Sequence, residues 1–127
     1  MKKKHILLID DNEIDNYVTN HIISKSQLAD KITIKKSAIL AFDYLQSLNK
    51  NTIEFPDLIF LDIKMPIMDG FEFLDELVKF NIIEDTECTV VMLSSSNDQN
   101  DINRAMQYTF VKSFLTKPLK IEMLKDF

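Results

Sequence analysis

The sequence is poor in the residues that phosphate-binding loops and covalent cross-links require. It has a single glycine, Gly70, and a single cysteine, Cys88, in 127 residues. One glycine excludes a Walker-type or dinucleotide-binding loop, because such loops need several glycines to bring the backbone close to phosphate. One cysteine excludes an internal disulfide, which fits a cytoplasmic protein in which Cys88 is a small buried residue.

Long apolar runs and excess positive charge are also missing. No apolar stretch approaches the ~20 residues that span a bilayer, and the start, MKKKHILLID, has too short an apolar stretch for a secretory signal. The formal net charge of −5 argues against direct nucleic-acid binding, so we expect the lysines at positions 2–4 to be solvated. The length predicts one domain over residues 1–127, with no output domain in this chain.

Short apolar runs, most of them followed by helical periodicity, dominate the rest of the chain. Runs this short are typical of buried parallel strands, and five successive strand–helix units predict a doubly wound α/β fold with helices on both faces. The predicted strands are about His5 to Asp10, Ile32 to Lys35, Leu58 to Asp62, 88–93 and Ser113 to Leu115.

The helices are predicted from apolar residues that recur at helical spacing. The predicted buried faces, in chain order, are Ile14, Tyr17, Val18, His21 and Ile22; Ala38, Ala41, Phe42, Leu45 and Leu48; Phe71, Leu74, Leu77 and Val78; Ile102, Ala105 and Met106; and Leu119, Met123 and Phe127. Asn12 is a candidate N-cap for the first helix, and Pro118 is predicted to open a last helix of about nine residues.

Polar side chains follow four of the apolar runs. ILLI precedes Asp10 and Asp11, LIFL precedes Asp62, VVML precedes Ser94, and FLT precedes Lys117. Ligands of open α/β sheets bind at the carboxyl ends of the strands, so we expect these residues to form one site. Each motif alone has an ordinary explanation as a helix cap, a turn or a loop, but the coincidence of all four favours a site.

The chemistry of this set points to a metal ion and a phosphoryl group. Three clustered carboxylates repel one another, and a divalent cation relieves that repulsion. Mg²⁺ is the expected ion because it prefers oxygen ligands together with a phosphate. Lysine and serine can bind phosphoryl oxygens, and an aspartate can act as the nucleophile in phosphoryl transfer.

The chain resembles the receiver domain of two-component response regulators over nearly its whole length. The motifs that carry the resemblance are ILLIDD at 6–11, LDIKMPIMDG at 61–70, VMLSS at 91–95 and FLTKP at 114–118. The resemblance implies a five-stranded, flavodoxin-like sheet of order 2-1-3-4-5 and a signalling switch rather than a turnover enzyme. It also implies a histidine kinase or phosphotransfer protein as phosphodonor and a downstream protein target, with homodimerisation left open.

The resemblance further implies roles for individual residues. Asp62 would be the phosphoacceptor, and Lys117 would pair with it in the empty site and bind a phosphoryl oxygen. The implied Mg²⁺ ligands are Asp10, mainly through water, Asp11, Asp62 and the backbone carbonyl of Lys64. Ser94 and Phe114 would be switch residues, Ser95 would leave room for the phosphoryl group, and the Lys117–Pro118 peptide bond would be cis.

Three other interpretations of the motifs are open to comparison with the sequence. A phosphohydrolase of the haloacid dehalogenase type needs a second aspartate two residues after the nucleophile, where this chain has Lys64. A non-phosphorylated pseudo-receiver that acts as an adaptor is less favoured, because all the expected acceptor and metal residues are present. A receiver fragment of a longer regulator stays open.

Overall fold

A computed structural model describes residues 4–127 of the chain, so two of the lysines expected to be solvated, Lys2 and Lys3, lie outside the described residues. The strands are β1 (His5–Ile9), β2 (Lys31–Lys35), β3 (Leu58–Leu61), β4 (Thr89–Ser94) and β5 (Val111–Thr116). The helices are α1 (Glu13–Ser26), α2 (Ala38–Ser47), α3 (Gly70–Lys79) and α4 (Gln99–Ala105), followed by a 3₁₀ helix over Ile121–Leu124. All strand pairs are parallel, in the order β2-β1-β3-β4-β5. The predicted α/β class and strand order are therefore confirmed.

The central strands β1, β3 and β4 are buried on both faces, which explains their continuous apolar sequences. Alternate residues point to opposite sides of the sheet. Leu7, Ile59 and Val90 pack against one core cluster, under α2, α3 and α4. The neighbouring residues Leu8 and Phe60 pack against a second cluster, under α1 and the C-terminal segment. The two clusters hold the sheet between two helical layers.

The predicted buried face of α1 is wrong except at Ile22, which is half-buried against the second core cluster. Ile14 and Tyr17 are 74% and 75% exposed, Val18 is 38% exposed and His21 is also exposed, whereas Asn16, Thr19 and Ile23 are buried. The predicted N-cap is confirmed, because the Asn12 side chain accepts a hydrogen bond from the Asp15 N–H at 3.0 Å. The helix is rotated about its axis relative to the prediction because a polar contact turns Asn16 inward. The buried Asn16 amide donates to the Asp10 carbonyl at 2.8 Å.

The C-terminal segment also differs from its prediction. No α-helix opens at Pro118; the chain forms a 3₁₀ helix, Ile121–Leu124, with hydrogen bonds from Met123 N to Lys120 O and from Phe127 N to Leu124 O. So short a segment gains little from helical cooperativity, and packing decides its form. The predicted apolar stripe still packs inward, with Leu119 buried and Met123 and Phe127 half-buried against the second core cluster.

The remaining elements follow the sequence more closely. The face of α2 is as predicted, and Phe71, Leu74 and Leu77 of α3 are buried. Phe73 is also buried, while Val78 and Met106, both predicted on buried faces, are 53% and 47% exposed. β5 extends beyond its predicted range, Ser113 to Leu115, at both ends.

Cys88 is buried, and burial raises the pKa of its thiol to about 12, so it is an inert core residue. Among residues 4–127, no helix combines the length and the apolar character that crossing a bilayer requires.

Candidate functional site

The last hydrogen bonds of the sheet bring the predicted site residues to one edge. Asp62 N donates to the carbonyl of Ile9 at 3.0 Å, which places the end of β3 beside the end of β1. Lys117 N donates to the carbonyl of Ser94 at 2.7 Å, which joins the end of β5 to the end of β4. The carboxyl ends of β1, β3, β4 and β5 therefore form one site.

Three carboxylates form the acidic part of this site. Asp10, Asp11 and Asp62 each offer an oxygen, and these oxygens lie within 4.8 Å of one another. Asp10 and Asp62 are buried and Asp11 is exposed, so the cluster is open on the side of Asp11. Closely spaced carboxylate oxygens with access to solvent are a donor set that fits Mg²⁺.

Asp10 is fixed by hydrogen bonds at both its side chain and its backbone. Its Oδ1 accepts the Asn12 N–H at 2.9 Å, and its backbone carbonyl accepts from the Asn16 side chain. Asn12, whose side chain caps α1, therefore also binds the acidic site through its backbone N–H. This arrangement leaves Asp10 Oδ2 to face Lys117.

Lys117 contacts three carboxylates at once. Its Nζ lies 2.6 Å from Asp10 Oδ2, 2.9 Å from Asp15 Oδ2 and 3.4 Å from Asp62 Oδ1. The expected contact between Lys117 and Asp62 is present, but it is the longest of the three. The Lys117–Pro118 peptide bond is cis, as the resemblance implied.

The electrostatics of the site follow from burial and crowding. Burial, together with the neighbouring Asp10 carboxylate, raises the pKa of Asp62 to about 6, and the attraction of Lys117 only partly offsets this. Burial alone would lower the pKa of Lys117, but its hydrogen bonds to Asp10 and Asp15 raise that pKa above the usual range. Lys117 therefore stays charged, and the metal-free site carries a destabilising excess of negative charge.

Asp15 and Asn16 are the site residues that sequence reasoning missed. An acidic residue in the first turn of a helix is usually explained by the helix dipole, so Asp15 gave no separate signal. Its contact with Lys117 joins residues 102 positions apart. Asn16 carried a weak signal, because a polar residue in the helix that follows an acidic pair can reach back to the preceding turn.

The loop between β3 and α3 brings the helix against the site. A Cβ on Gly70 would lie 2.5 Å from the backbone oxygen of Asp62, so only glycine fits at this position. The helix is then fixed by a capping box between Asp69 and Glu72. Within the same loop, Ile67 has a φ of 73° and is 89% exposed, which is a strained conformation for a β-branched residue.

The other predicted site residues lie around the carboxylates. Ser94 is buried and its Oγ accepts the Ser96 N–H at 3.1 Å, while Ser95 is exposed at the rim. Phe114 is half-buried and packs against the first core cluster, and Lys64 is exposed. A cavity of about 240 Å³ beside the site is lined by Asp15, Val18, Ser95 and Lys117, among others.

The site combines a buried carboxylate, a lysine and a cluster of carboxylate oxygens. These are the components that phosphoryl transfer uses to neutralise and orient a phosphoryl group.

Comparisons with known proteins identify the family of this chain. The family model of the response regulator receiver domain matches residues 6–127. Two-component response regulator ARR17 of Arabidopsis thaliana is 32% identical over 123 residues, which cover 92% of this chain and 77% of that protein.

Solved structures give the same result. A two-component response regulator from Cytophaga hutchinsonii superposes with a TM-score of 0.89 at 30% identity, covering 98% of this chain and 94% of that one. The phosphorylated cyanobacterial phytochrome response regulator RcpA superposes with a TM-score of 0.76 at 27% identity, covering 97% and 86%. With its fold, its site and its relatives in agreement, the chain belongs to the response regulator receiver domain family.

Proposed function

We propose that this protein is a signalling switch that accepts a phosphoryl group on Asp62 from a phosphohistidine of a histidine kinase or phosphotransfer protein. The observation that carries the proposal is the position of the Asp62 carboxylate at the end of a central strand. It lies 3.4 Å from the Lys117 ammonium and within 4.8 Å of the Asp10 and Asp11 carboxylates. The existence of a phosphorylated relative, RcpA, supports the same chemistry here.

In the transfer step, a carboxylate oxygen of Asp62 forms a bond to phosphorus. The N–P bond of the donor phosphohistidine breaks, its electron pair stays on the imidazole nitrogen, and that nitrogen takes up a proton. Asp62 must be ionised to attack, and Lys117 is placed to bind a phosphoryl oxygen once the new bond forms.

Asp10, Asp11, Asp62 and the backbone carbonyl of Lys64 are the proposed ligands of a Mg²⁺ ion. Such an ion would neutralise the clustered carboxylates and the charge on the transferring phosphoryl group. The close spacing of the three carboxylate oxygens and their hard-ligand chemistry support this assignment.

Phosphorylation would act on the partner-binding surface through Ser94 and Phe114. The phosphoryl group adds nearly two negative charges beside the buried Ser94 hydroxyl, which can turn to donate to it. Ser95, at the rim of the site, leaves space for the group. Phe114 is half-buried, so a change at the end of β4 can alter its packing and bias a downstream protein's affinity.

The surface around the site supports a protein as phosphodonor. Ile14 and Tyr17 are about three-quarters exposed on the first turns of α1, and Val18 lines the cavity that also contains Lys117. Exposed apolar side chains beside a reactive site are typical of a protein contact. A cytoplasmic location is part of the proposal, because a single buried thiol fits a reducing compartment.

The test is intact-mass spectrometry after incubation with acetyl phosphate, with and without Mg²⁺. We expect a Mg²⁺-dependent gain of one phosphoryl group in the wild type and in the control Asp43→Asn, which changes an exposed aspartate of α2. Asp62→Asn should gain none. A folded wild-type protein that takes up no phosphoryl group would favour the pseudo-receiver alternative, and uptake by Asp62→Asn would show that the acceptor is misassigned.

A further inference from the structure

Asp15 is a fourth carboxylate at the site, and it differs from the other three. It does not belong to the cluster of Asp10, Asp11 and Asp62 whose oxygens lie close enough to share an ion. Its side chain contacts Lys117 instead, with Asp15 Oδ2 2.9 Å from Nζ. Any effect of Asp15 on the chemistry is therefore exerted through the lysine.

The backbone holds Asp15 in the position that makes this contact. Its own N–H donates to the Asn12 cap at 3.0 Å, and the next residue, Asn16, is buried and bonded to the Asp10 carbonyl. These contacts fix the rotation of α1 and direct Asp15 toward the end of β5. The side chain of Asp15 is 39% exposed and that of Lys117 is 12% exposed, so the ion pair is partly shielded from water.

The distances around Lys117 show how its ammonium is shared. An ammonium has three protons, and the contacts at 2.6 and 2.9 Å, to Asp10 and Asp15, are its shortest. Asp62, at 3.4 Å, is the weakest partner. A phosphoryl group on Asp62 would carry nearly two negative charges, and it would have to draw Lys117 away from Asp15 to form a close contact.

We infer that Asp15 is a positioning residue that competes with the phosphoryl group for Lys117. This competition lowers the stability of the phosphorylated state of the site. The inference rests on the proposed function, because it assumes that Asp62 accepts the phosphoryl group. Through Asp15, helix α1 would directly influence the stability of the phosphorylated state.

The test measures the affinity of the site for beryllofluoride, a phosphoryl mimic that coordinates to an aspartate carboxylate, by fluorine NMR titration with Mg²⁺ present. Asp15→Asn removes the charge and keeps the shape of the side chain. We expect it to bind beryllofluoride about 3 to 10 times more tightly than the wild type, the range for one partly shielded ion pair. Asp15→Glu keeps the charge and should remain near the wild-type affinity.

A matched control separates this effect from the charge of the helix terminus. Glu13 lies in the same first turn of α1 but pairs with Lys36, away from Lys117. Glu13→Gln therefore removes one negative charge from the same turn and should leave the beryllofluoride affinity unchanged. Equal affinities for Asp15→Asn and Glu13→Gln, or weaker binding by Asp15→Asn, would overturn the inference.

A second measurement needs no change at Asp15 and guards against a misfolded variant. In proton–nitrogen NMR of the wild type, the Lys117 ammonium should give a protected signal that shifts when beryllofluoride binds, as the contact with Asp15 is released. An unshifted signal in the loaded protein would overturn the inference. If the wild type binds no beryllofluoride and takes no phosphoryl group from acetyl phosphate, the proposed function fails and the inference fails with it.

Discussion

Replacing Asp62 by asparagine should stabilise the metal-free protein at neutral pH, although it removes the proposed phosphoacceptor. The Asp62 side chain is only 10% exposed and lies beside the Asp10 carboxylate, while Lys117 is held more closely by Asp10 and Asp15. Ionised Asp62 is thus buried without full compensation. The neutral amide of asparagine has nearly the same shape and removes the excess charge.

The magnitude follows from the pKa of Asp62, which burial and Asp10 raise from 3.8 to about 6. A difference of this size between the folded and unfolded chains corresponds to about 3 kcal/mol when the group is ionised. The site is open to solvent on the side of Asp11, and screening reduces this value, so we expect a gain of about 1 to 2 kcal/mol for Asp62→Asn. For a domain of this size, that gain raises the Tm by about 4 to 8 °C.

The pH dependence has a defined sign. Because the pKa of Asp62 is raised in the folded state, folding favours the protonated form, and stability is lost as pH rises from about 4 through 6. The advantage of Asp62→Asn should therefore be absent below pH 4 and complete above pH 6. Urea unfolding followed by circular dichroism, in the presence of a chelator, measures it at each pH.

A control variant and the addition of Mg²⁺ test whether the gain in stability comes from the charge of Asp62. Asp43→Asn removes an exposed carboxylate of α2 and should leave stability within about 0.5 kcal/mol of the wild type. Saturating Mg²⁺ should reverse the order, because binding at 100 times the Kd stabilises the wild type by about 2.7 kcal/mol. Loss of stability in metal-free Asp62→Asn at pH 7, or a gain that persists at pH 4, would refute the electrostatic reasoning.

Four further predictions concern other parts of the molecule. Ile67→Gly should raise the free energy of unfolding by about 1 kcal/mol in thermal denaturation, because glycine relieves the strain of a positive φ; an unchanged or lower Tm would contradict this. Gly70→Ala should lower it by about 2 to 3 kcal/mol, since a Cβ there would overlap the backbone oxygen of Asp62, and an unaffected Tm would show that α3 can shift freely. Burial lowers the pKa of His5 in the folded protein, so the stability advantage of the wild type over His5→Gln should shrink as pH falls below 6.5. A difference that stays constant with pH would exclude the imidazole as its source. Tyr17→Ser should slow phosphorylation by a partner phosphohistidine protein while leaving the rate with acetyl phosphate unchanged; Ile53→Ser, which changes another exposed apolar residue, should affect neither, and equal rates for both variants would argue against contact through α1.

Much of the site was predictable because its components lie at the ends of buried strands. The apolar runs before Asp10, Asp62 and Ser94 have one stable arrangement, a parallel sheet covered on both faces. Once the strands are parallel, their carboxyl ends meet at one edge, and the polar residues that follow them meet there too. The convergence of Lys117 with Asp10, 107 positions away in sequence, follows from the same topology.

The orientation of α1 could not be predicted from apolar spacing. The stripe of Ile14, Tyr17 and Val18 has helical periodicity, yet the structure exposes it and buries Asn16. The observed orientation instead buries Ile23, bonds Asn16 to the Asp10 carbonyl and pairs Asp15 with Lys117. The spacing of apolar residues along one helix does not show which polar groups on another element need a hydrogen-bond partner.

The sequence by itself determined the α/β class, the positions of the central strands and the candidate phosphoacceptor, because each depends on short-range patterns and on a topology with few alternatives. Only the tertiary structure decided which carboxylates hold Lys117, the strained conformation of Ile67 and the 3₁₀ form of the C-terminal segment. These features depend on distances of a few ångströms between groups far apart in the chain. Such distances are set by the packing of the whole domain and not by any local pattern.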